Sequence, residues 1–131
     1  MDFGFDLGFE PHHPHQNEEH RIQCACVTWF RCQFPRYRSL LFSVPNGGYR
    51  LAKTARDMKA EGQLAGVSDL LLLVPNKHFH ALCIEMKTAK GVQRAAQKLF
   101  QESVERQGYK YIVARSLDGF MAEIRDYLSD K

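Results

Sequence analysis

The chain lacks any apolar run long enough to cross a membrane, and its N-terminus lacks the basic start of a secretory signal. These two absences predict a cytoplasmic, reducing location. The sequence has 131 residues and no internal repeat, which suits one domain with a hydrophobic core. It also lacks a strong excess of charge of either sign. The net charge of +3 permits a polyanionic partner without requiring one.

A recognisable cysteine framework is also absent, although the chain contains four cysteines: Cys24, Cys26, Cys32 and Cys83. Their spacing fits no structural zinc template. Cys24 and Cys26 stand two residues apart in a helical pattern, so their side chains point to different sides. We interpret all four as buried or half-buried free thiols that carry no chemistry.

What the chain does contain is an ordered series of helical and strand patterns. Apolar spacing predicts helices over 18–33, 50–61, 92–108 and 116–128, and strands over 40–44, 70–74, 79–87 and 109–114. This order predicts an α/β fold with a small mixed sheet flanked by helices on both faces. The link between the last two strands is predicted to be a right-handed parallel crossover.

Residues 1–17 have a composition of their own, and we interpret them as a flexible or partner-docking N-terminal segment. A single domain is then predicted over 18–131. The segment contains His12, His13 and His15, which leaves open a second interpretation as a transition-metal binder.

The most informative feature is a pair of acids on the predicted hairpin. Asp69 precedes the first apolar run, and Glu85-Met86-Lys87 ends the second. Alternation places Glu85 and Lys87 on one face and Met86 on the other. Asp69 faces Glu85 if the loop has an odd length such as Pro75–Phe79. Opposed carboxylates are costly unless a cation binds between them, so this register indicates a divalent metal.

This constellation suits metal-assisted hydrolysis of a phosphodiester. Hard carboxylate oxygens suit Mg²⁺ or Mn²⁺, and the Met86 backbone carbonyl is a plausible third ligand beside Asp69 and Glu85. Lys87 can orient or deprotonate a water and help to hold the phosphate. The three residues alone are weak support, because a solvated sheet edge with a Glu–Lys pair looks the same.

Taken together, the chain resembles the VRR-NUC domain, the virus-type replication-repair nuclease branch of the PD-(D/E)XK superfamily. Five motifs occur in the family's order: Glu19-His-Arg-Ile-Gln23, Phe42-Ser-Val-Pro45-Asn46-Gly47-Gly48, Glu61-Gly62-Gln-Leu-Ala-Gly66-Val-Ser-Asp69, Ile84-Glu85-Met-Lys87-Thr88, and Gln97-Lys-Leu-Phe100 with Gly108-Tyr109. The match runs from about Glu18 to Leu128. The resemblance implies a restriction-endonuclease-like core.

The resemblance also implies roles for individual residues. Asp69 and Glu85 correspond to metal ligands and Lys87 to the catalytic lysine. Glu19 corresponds to the acid of the first helix, and helical spacing favours it over Glu18. Gln97 matches a helix glutamine that faces the site. The chain departs from the family at Ser68, where proline commonly precedes the aspartate.

Several further residues are candidates for contact with DNA. Asn46 and Gly47 could let backbone amides approach a phosphate, although a plain tight turn explains them equally well. Lys53 and Arg94 lie on basic helix faces that are also typical of solvated surfaces. Lys90 follows the acid-x-Lys strand in a loop near the expected phosphate path.

The predicted function is therefore a Mg²⁺- or Mn²⁺-dependent DNA endonuclease in a bacterial cell or phage-infected host. No base-reading module accompanies the core, which favours branched DNA such as a Holliday junction, cut by a homodimer. A flap-type substrate is an alternative. A catalytically silent nucleic-acid or protein interaction module with the same fold is the rival from another class.

Overall fold

The computed structural model describes residues 14–45 and 52–130, and the side chains of 17–45 and 54–130. The elements in chain order are α1 (Pro14–Gln33), a 3₁₀ turn (Pro35–Tyr37), β1 (Leu41–Ser43), α2 (Ala52–Ala60), β2 (Leu70–Leu72), β3 (Leu82–Met86), α3 (Ala95–Arg106), β4 (Lys110–Ala114) and α4 (Leu117–Ser129). This is the predicted order. In the part of the chain that the structure describes, none of the helices has the length and apolarity to span a membrane.

The four strands form one mixed sheet in the order β1-β2-β3-β4. The pairs β1–β2 and β2–β3 are antiparallel, and β3–β4 is parallel, as predicted for the crossover through α3. In the second pair Leu70 faces Ile84 and Leu72 faces Leu82. Continued by one residue, the same register sets Asp69 opposite Glu85, which is the arrangement that the sequence predicted.

Asn76 explains this register because its side chain closes the turn between β2 and β3. Its Oδ1 atom accepts hydrogen bonds from the backbone amides of His78 (2.9 Å) and Phe79 (2.8 Å). Its own amide donates to the Phe79 carbonyl (3.0 Å). Such a turn is typical of asparagine, which caps nearby backbone donors. The closed turn is centred on Lys77, so the loop has the odd length that aligns the two acids.

The end of α4 lies against this same turn. The Tyr127 hydroxyl donates to the Val74 carbonyl (2.7 Å), and the Asn76 side-chain amide donates to the Tyr127 carbonyl (3.1 Å). The Lys77 amide donates to the Asp130 carbonyl (2.8 Å), and His78 Nε2 lies 3.1 Å from the Asp130 carboxylate. These contacts attach α4 to the end of the sheet opposite Asp69 and Glu85.

The two faces of the sheet are covered by different helices. On one face, the side chains of Ile84 and Ile112 belong to the buried core together with Phe30 of α1 and Ile124 of α4. Successive side chains of a strand point to opposite faces, so Tyr111 lies on the other face. There its ring contacts Phe100 of α3, with 6.3 Å between ring centroids. Helices on both faces confirm the predicted architecture.

Some local predictions differ from the structure. The first helix begins at Pro14, four residues before the predicted start. The third begins at Ala95, which leaves Val92 outside it. Leu99, an apolar residue whose spacing contributed to the prediction of this helix, is 65% exposed. Ser116, the first residue of the predicted last helix, caps α4, because its Oγ accepts a hydrogen bond from the Gly119 amide (3.0 Å).

The four cysteines are free, but the prediction that all are buried or half-buried is wrong for two of them. Cys26 and Cys83 are buried, whereas Cys24 and Cys32 are exposed. Burial raises the pKa of Cys26 to about 12, so this thiol stays protonated and unreactive.

Candidate active site

Asp69 and Glu85 lie side by side at one end of β2 and β3. The Asp69 Oδ2 atom accepts a hydrogen bond of 2.6 Å from the backbone amide of Met86, which holds the carboxylate against the end of β3. Glu85 is completely buried, and Asp69 is half-buried. Two carboxylates held in this way repel each other and have little water to screen them.

The two oxygens of the Glu85 carboxylate have different surroundings. Oε1 accepts two hydrogen bonds, from the Tyr111 hydroxyl (2.6 Å) and from the Gln93 side-chain amide (2.9 Å). Oε2 is buried and has no hydrogen-bond partner among the residues that the structure describes. The Nζ atom of Lys87 lies 3.5 Å from Oε2. One oxygen of this acid is therefore saturated, and the other is left for a cation.

Lys87 lies on the same face as Glu85, as the alternation predicted. Its side chain is only 6% exposed, and its backbone amide donates to the Ala114 carbonyl (3.0 Å), which continues the pairing of β3 with β4. The Gly91 backbone lies against the Lys87 stem, because a Cβ atom at that glycine would come within 3.2 Å of Lys87 Cδ. The Lys87 side chain is thus held by Gly91 along its stem and by Glu85 at its ammonium.

A polar pocket of about 240 Å³ opens over these groups. Its walls combine charged, amide and small residues from α1, the approach to β2, the end of β3 and the start of α3: Glu19, Ala65, Gly66, Val67, Asp69, Met86, Lys87, Arg94, Ala96 and Gln97. Glu19, and not Glu18, lies on this wall. A larger cleft of about 460 Å³ between α1 and β1 adjoins the pocket at Glu19 and continues towards Arg31 and Phe42.

Burial dominates the electrostatics of the pocket. It raises the pKa of Asp69 above its usual value, and the neighbouring Glu85 raises it further, while the Met86 hydrogen bond and Lys87 act in the opposite direction. The pKa of Glu19 is likewise raised by burial, and Lys87 partly offsets this. Burial and the bond to Glu85 hold the pKa of Tyr111 far above its usual range, so its hydroxyl remains a hydrogen-bond donor.

The loop after Lys87 is fixed by Arg115, which follows β4. One guanidinium nitrogen, Nη1, donates to the carbonyls of Thr88 (2.7 Å) and Gly91 (2.8 Å), with the Ala89 carbonyl at 3.4 Å. These bonds satisfy backbone acceptors that face away from the strands. Lys90 lies inside this loop and is exposed, so its amine faces solvent next to the pocket.

The other predicted residues divide into two groups. Gln97 lines the pocket, but its Oε1 atom accepts a hydrogen bond from the Arg94 amide (2.7 Å), so it also caps the start of α3. Arg94 lines the same pocket. Asn46 and Gly47 lie outside the described residues, as do His12 and His13, and the side chains of His15 and Lys53 are not described either.

Sequence reasoning missed three residues of the site: Tyr111, Gln93 and Arg115. A tyrosine in a predicted strand suggests a core residue, and Tyr111 is buried, but its hydroxyl also donates a hydrogen bond to Glu85. Alternation along β4 could have placed it on the Glu85 face once the parallel pairing was assumed. No sequence signal marked Gln93 or Arg115.

The residues present fit a divalent cation of the hard type. Glu85 Oε2 is a buried carboxylate oxygen without a hydrogen-bond donor in the described part of the chain, and Asp69 brings a second carboxylate to the same end of the sheet. Among the described residues, no three His, Cys, Asp or Glu side chains gather closely enough to hold an ion by themselves. Two carboxylates suit Mg²⁺ or Mn²⁺, which keep several of their waters.

Comparison with known proteins identifies the family. The model of the VRR-NUC domain matches residues 11–118 of this chain. A solved structure described as a VRR_NUC domain protein is similar with a TM-score of 0.76 and 24% sequence identity, covering 86% of this chain and 89% of its own. This likeness concerns the fold alone, and no curated protein matches the sequence. The chain belongs to the VRR-NUC domain family, whose members are nucleases of the PD-(D/E)XK type.

Proposed function

We propose that this chain is a Mg²⁺- or Mn²⁺-dependent endonuclease that hydrolyses phosphodiester bonds in branched DNA. One observation carries the proposal: Asp69 and Glu85 are opposed at the end of β2 and β3, and Lys87 Nζ lies 3.5 Å from Glu85 Oε2 beneath a polar pocket. A catalytically silent module would gain nothing from two repelling acids beside a buried lysine, since each costs desolvation energy.

Asp69 and Glu85 would hold the metal, with the Met86 carbonyl as a further ligand. The ion, when bound, supplies Lewis acidity towards the phosphate and lowers the pKa of a bound water. Lys87 is placed to orient the attacking water, or to accept its proton, beside the scissile phosphate. Glu19 lines the same pocket, where it would hold water through hydrogen bonds.

Cationic residues around the pocket would bind the DNA backbone. Arg94 lines the pocket itself, and Lys90 is exposed in the loop after Lys87. Beyond the scissile phosphate, the cleft between α1 and β1 provides a path for the strand towards Arg31 and Phe42. A cation and an aromatic ring suit a single strand, since phosphates pair with the former and bases stack on the latter.

The preference for branched DNA and the dimeric state are part of the proposal. No base-reading helix or zinc finger occurs among the described elements, so the substrate would be recognised by shape. A two-fold dimer would set two catalytic pockets on two strands of a junction. Light scattering of the protein with and without a four-way junction measures this state directly.

The decisive experiment is cleavage of labelled four-way junction, flap, duplex and single-stranded DNA in Mg²⁺, Mn²⁺ or EDTA, with Glu85→Gln as the matched control. Metal-dependent cutting that disappears in Glu85→Gln supports the proposal, and the best-cut substrate separates junction from flap. If no DNA is cut and DNA affinity is the same in EDTA and Mg²⁺, the chain is a silent binding module instead.

A further inference from the structure

We infer that Tyr111 and Gln93 are positioning residues that restrict Glu85 to binding a metal through one oxygen, and so select small octahedral ions over Ca²⁺. The inference rests on the proposed function. It adds a reason for the metal preference that the two acids do not supply by themselves, because carboxylates also bind Ca²⁺.

The restriction follows from the lone pairs of Glu85. A carboxylate oxygen has about two acceptor positions, and on Oε1 both are used, by the Tyr111 hydroxyl and the Gln93 amide. Oε2 accepts no hydrogen bond from residues 14–45 and 52–130, and it lies 3.5 Å from Lys87 Nζ. To bind an ion through both oxygens, Glu85 would have to break a hydrogen bond in a fully buried place, which is costly.

Both donors are themselves held in position. Tyr111 is buried in β4, where it pairs with Cys83 of β3, and its ring packs against Phe100. The Gln93 amide that serves Glu85 also donates to the Gln101 Oε1 atom (2.9 Å). Rigid donors of this kind fix the orientation of a metal ligand, which is how residues behind a ligand tune the ion it prefers.

The two modes of binding suit different ions. Mg²⁺ and Mn²⁺ demand near-octahedral geometry with few protein ligands, which a single oxygen satisfies. Ca²⁺ takes six to eight oxygens in a flexible arrangement and readily accepts both oxygens of one carboxylate. Freeing Oε1 should therefore weaken Mn²⁺ binding but spare, or even improve, Ca²⁺ binding.

The test measures ion affinity without DNA and without turnover. Free Mn²⁺ is followed by electron paramagnetic resonance, and Ca²⁺ affinity is obtained by competition. The variants are Tyr111→Phe, which removes only the hydroxyl, and Gln93→Ala at a half-exposed position. Tyr109→Phe and Gln107→Ala are matched controls, since Tyr109 packs on the His80 ring and Gln107 follows α3 on the surface.

We expect each variant to lose about tenfold in Mn²⁺ affinity, and to shift the ratio of Mn²⁺ to Ca²⁺ affinity towards Ca²⁺ by a similar factor. The controls should leave both values unchanged. A purely structural role for the two residues would weaken both ions equally and would leave the ratio as it is. Either variant suffices, so failure of Tyr111→Phe to fold leaves Gln93→Ala decisive.

Two results overturn the inference in distinguishable ways. If the unmodified protein binds Mn²⁺ and cuts DNA, but the ratio is unchanged in the folded variants, Tyr111 and Gln93 do not select the ion and the proposed function stands. If the unmodified protein binds neither ion and cuts no DNA, the proposed function fails and takes the inference with it.

Discussion

The Asp69 carboxylate is held by the backbone amide of Met86, the residue directly after the Glu85 that it faces, at 2.6 Å. This bond keeps Asp69 beside a fully buried acid of the same charge. The arrangement is a source of instability in the metal-free protein, and burial and Glu85 together raise the pKa of Asp69 for that reason. If Asp69 binds the metal as proposed, the charge that the metal needs is the charge that destabilises the metal-free fold.

Asp69→Asn should therefore stabilise the metal-free protein while it weakens Mn²⁺ binding. Asparagine keeps an acceptor for the Met86 amide but removes the charge. In the folded protein the pKa of Asp69 lies above its usual value of 3.8. As pH rises, the unfolded chain therefore loses this proton at a lower pH than the folded protein does. The free energy of unfolding of the wild type falls from about pH 3.8 until the pH has passed the raised pKa. The difference in free energy of unfolding between Asp69→Asn and wild type should grow over this pH range and stay constant at higher pH.

Urea unfolding from pH 3 to pH 8 in EDTA measures this difference in stability. Mn²⁺ titration at pH 7.5 measures the loss of metal affinity. Asp118→Asn is the control, because Asp118 is exposed in the first turn of α4. If Asp69→Asn is less stable than wild type at neutral pH, the Asp69 charge does not destabilise the metal-free protein. If it binds Mn²⁺ with wild-type affinity, Asp69 is not a metal ligand.

Lys87→Ala should abolish cleavage and leave the protein folded. The expected loss in rate is about 10²-fold or more, as for removal of a group that transfers a proton. Lys87→Met retains the buried stem and should be as inactive, which separates the ammonium from the packing. Cleavage rates and circular dichroism check both variants, with Lys98→Ala on the exposed side of α3 as control. Unfolding of both Lys87 variants would make the lysine structural.

Gly66→Ala should destabilise the wall of the pocket. Gly66 has φ +88°, and a Cβ atom there would collide with the Ala96 carbonyl oxygen at the start of α3. Gly62 is a matched control with φ +111° and nothing within 4 Å of its Cβ position. Both alanines carry backbone strain of about 1–3 kcal/mol, but only Gly66→Ala adds a collision.

The difference in free energy of unfolding between the two alanine variants, measured with urea, gives the effect of the collision alone. We expect Gly66→Ala to be less stable by a further ~1–3 kcal/mol, as for other overpacked sites. Cleavage should also fall in Gly66→Ala, because Ala96 lines the pocket and must move. Equal stability of the two variants would show that the approach loop and α3 adjust to each other without strain.

Arg115→Ala should release the loop after Lys87. Three backbone carbonyls lose their donor at once, and the Lys87 stem loses the Gly91 backbone that packs on it. A displacement of about 1 Å in a catalytic group can cost 10²-fold in rate. We expect faster amide hydrogen exchange over 88–91 and slower cleavage. Arg106→Ala, on the exposed end of α3, should change neither.

The hairpin could be predicted from the sequence because its information is local. Alternating apolar residues define the two strands, and Asn76 fixes the turn by bonding to His78 and Phe79. With the turn known, opposition of Asp69 and Glu85 is simple counting. The Ser116 cap was predictable for the same reason, since donor and acceptor lie three residues apart.

The supporting residues could not be predicted because they depend on contacts between distant segments. Tyr111 reaches Glu85 only through the register of β3 and β4, two strands that are joined by the long connection through α3 and not by a tight turn. Arg115 serves a loop more than twenty residues earlier in the chain. The exposure of Leu99 has the same cause: helical spacing reports which residues share a face, but not whether another element covers that face.

The contact between the end of α4 and the hairpin turn provides a site for attaching a label or a surface. Asp130 contacts Lys77 and His78 at the end of the sheet opposite the two acids, so any dye, tag or surface linked beside it stands clear of the pocket. Immobilised through that point, every molecule on a sensor chip would present its pocket to the bulk solution in one orientation. The topology of the sheet thus separates the point of attachment from the pocket, so the proposed cleavage could be followed on single immobilised molecules.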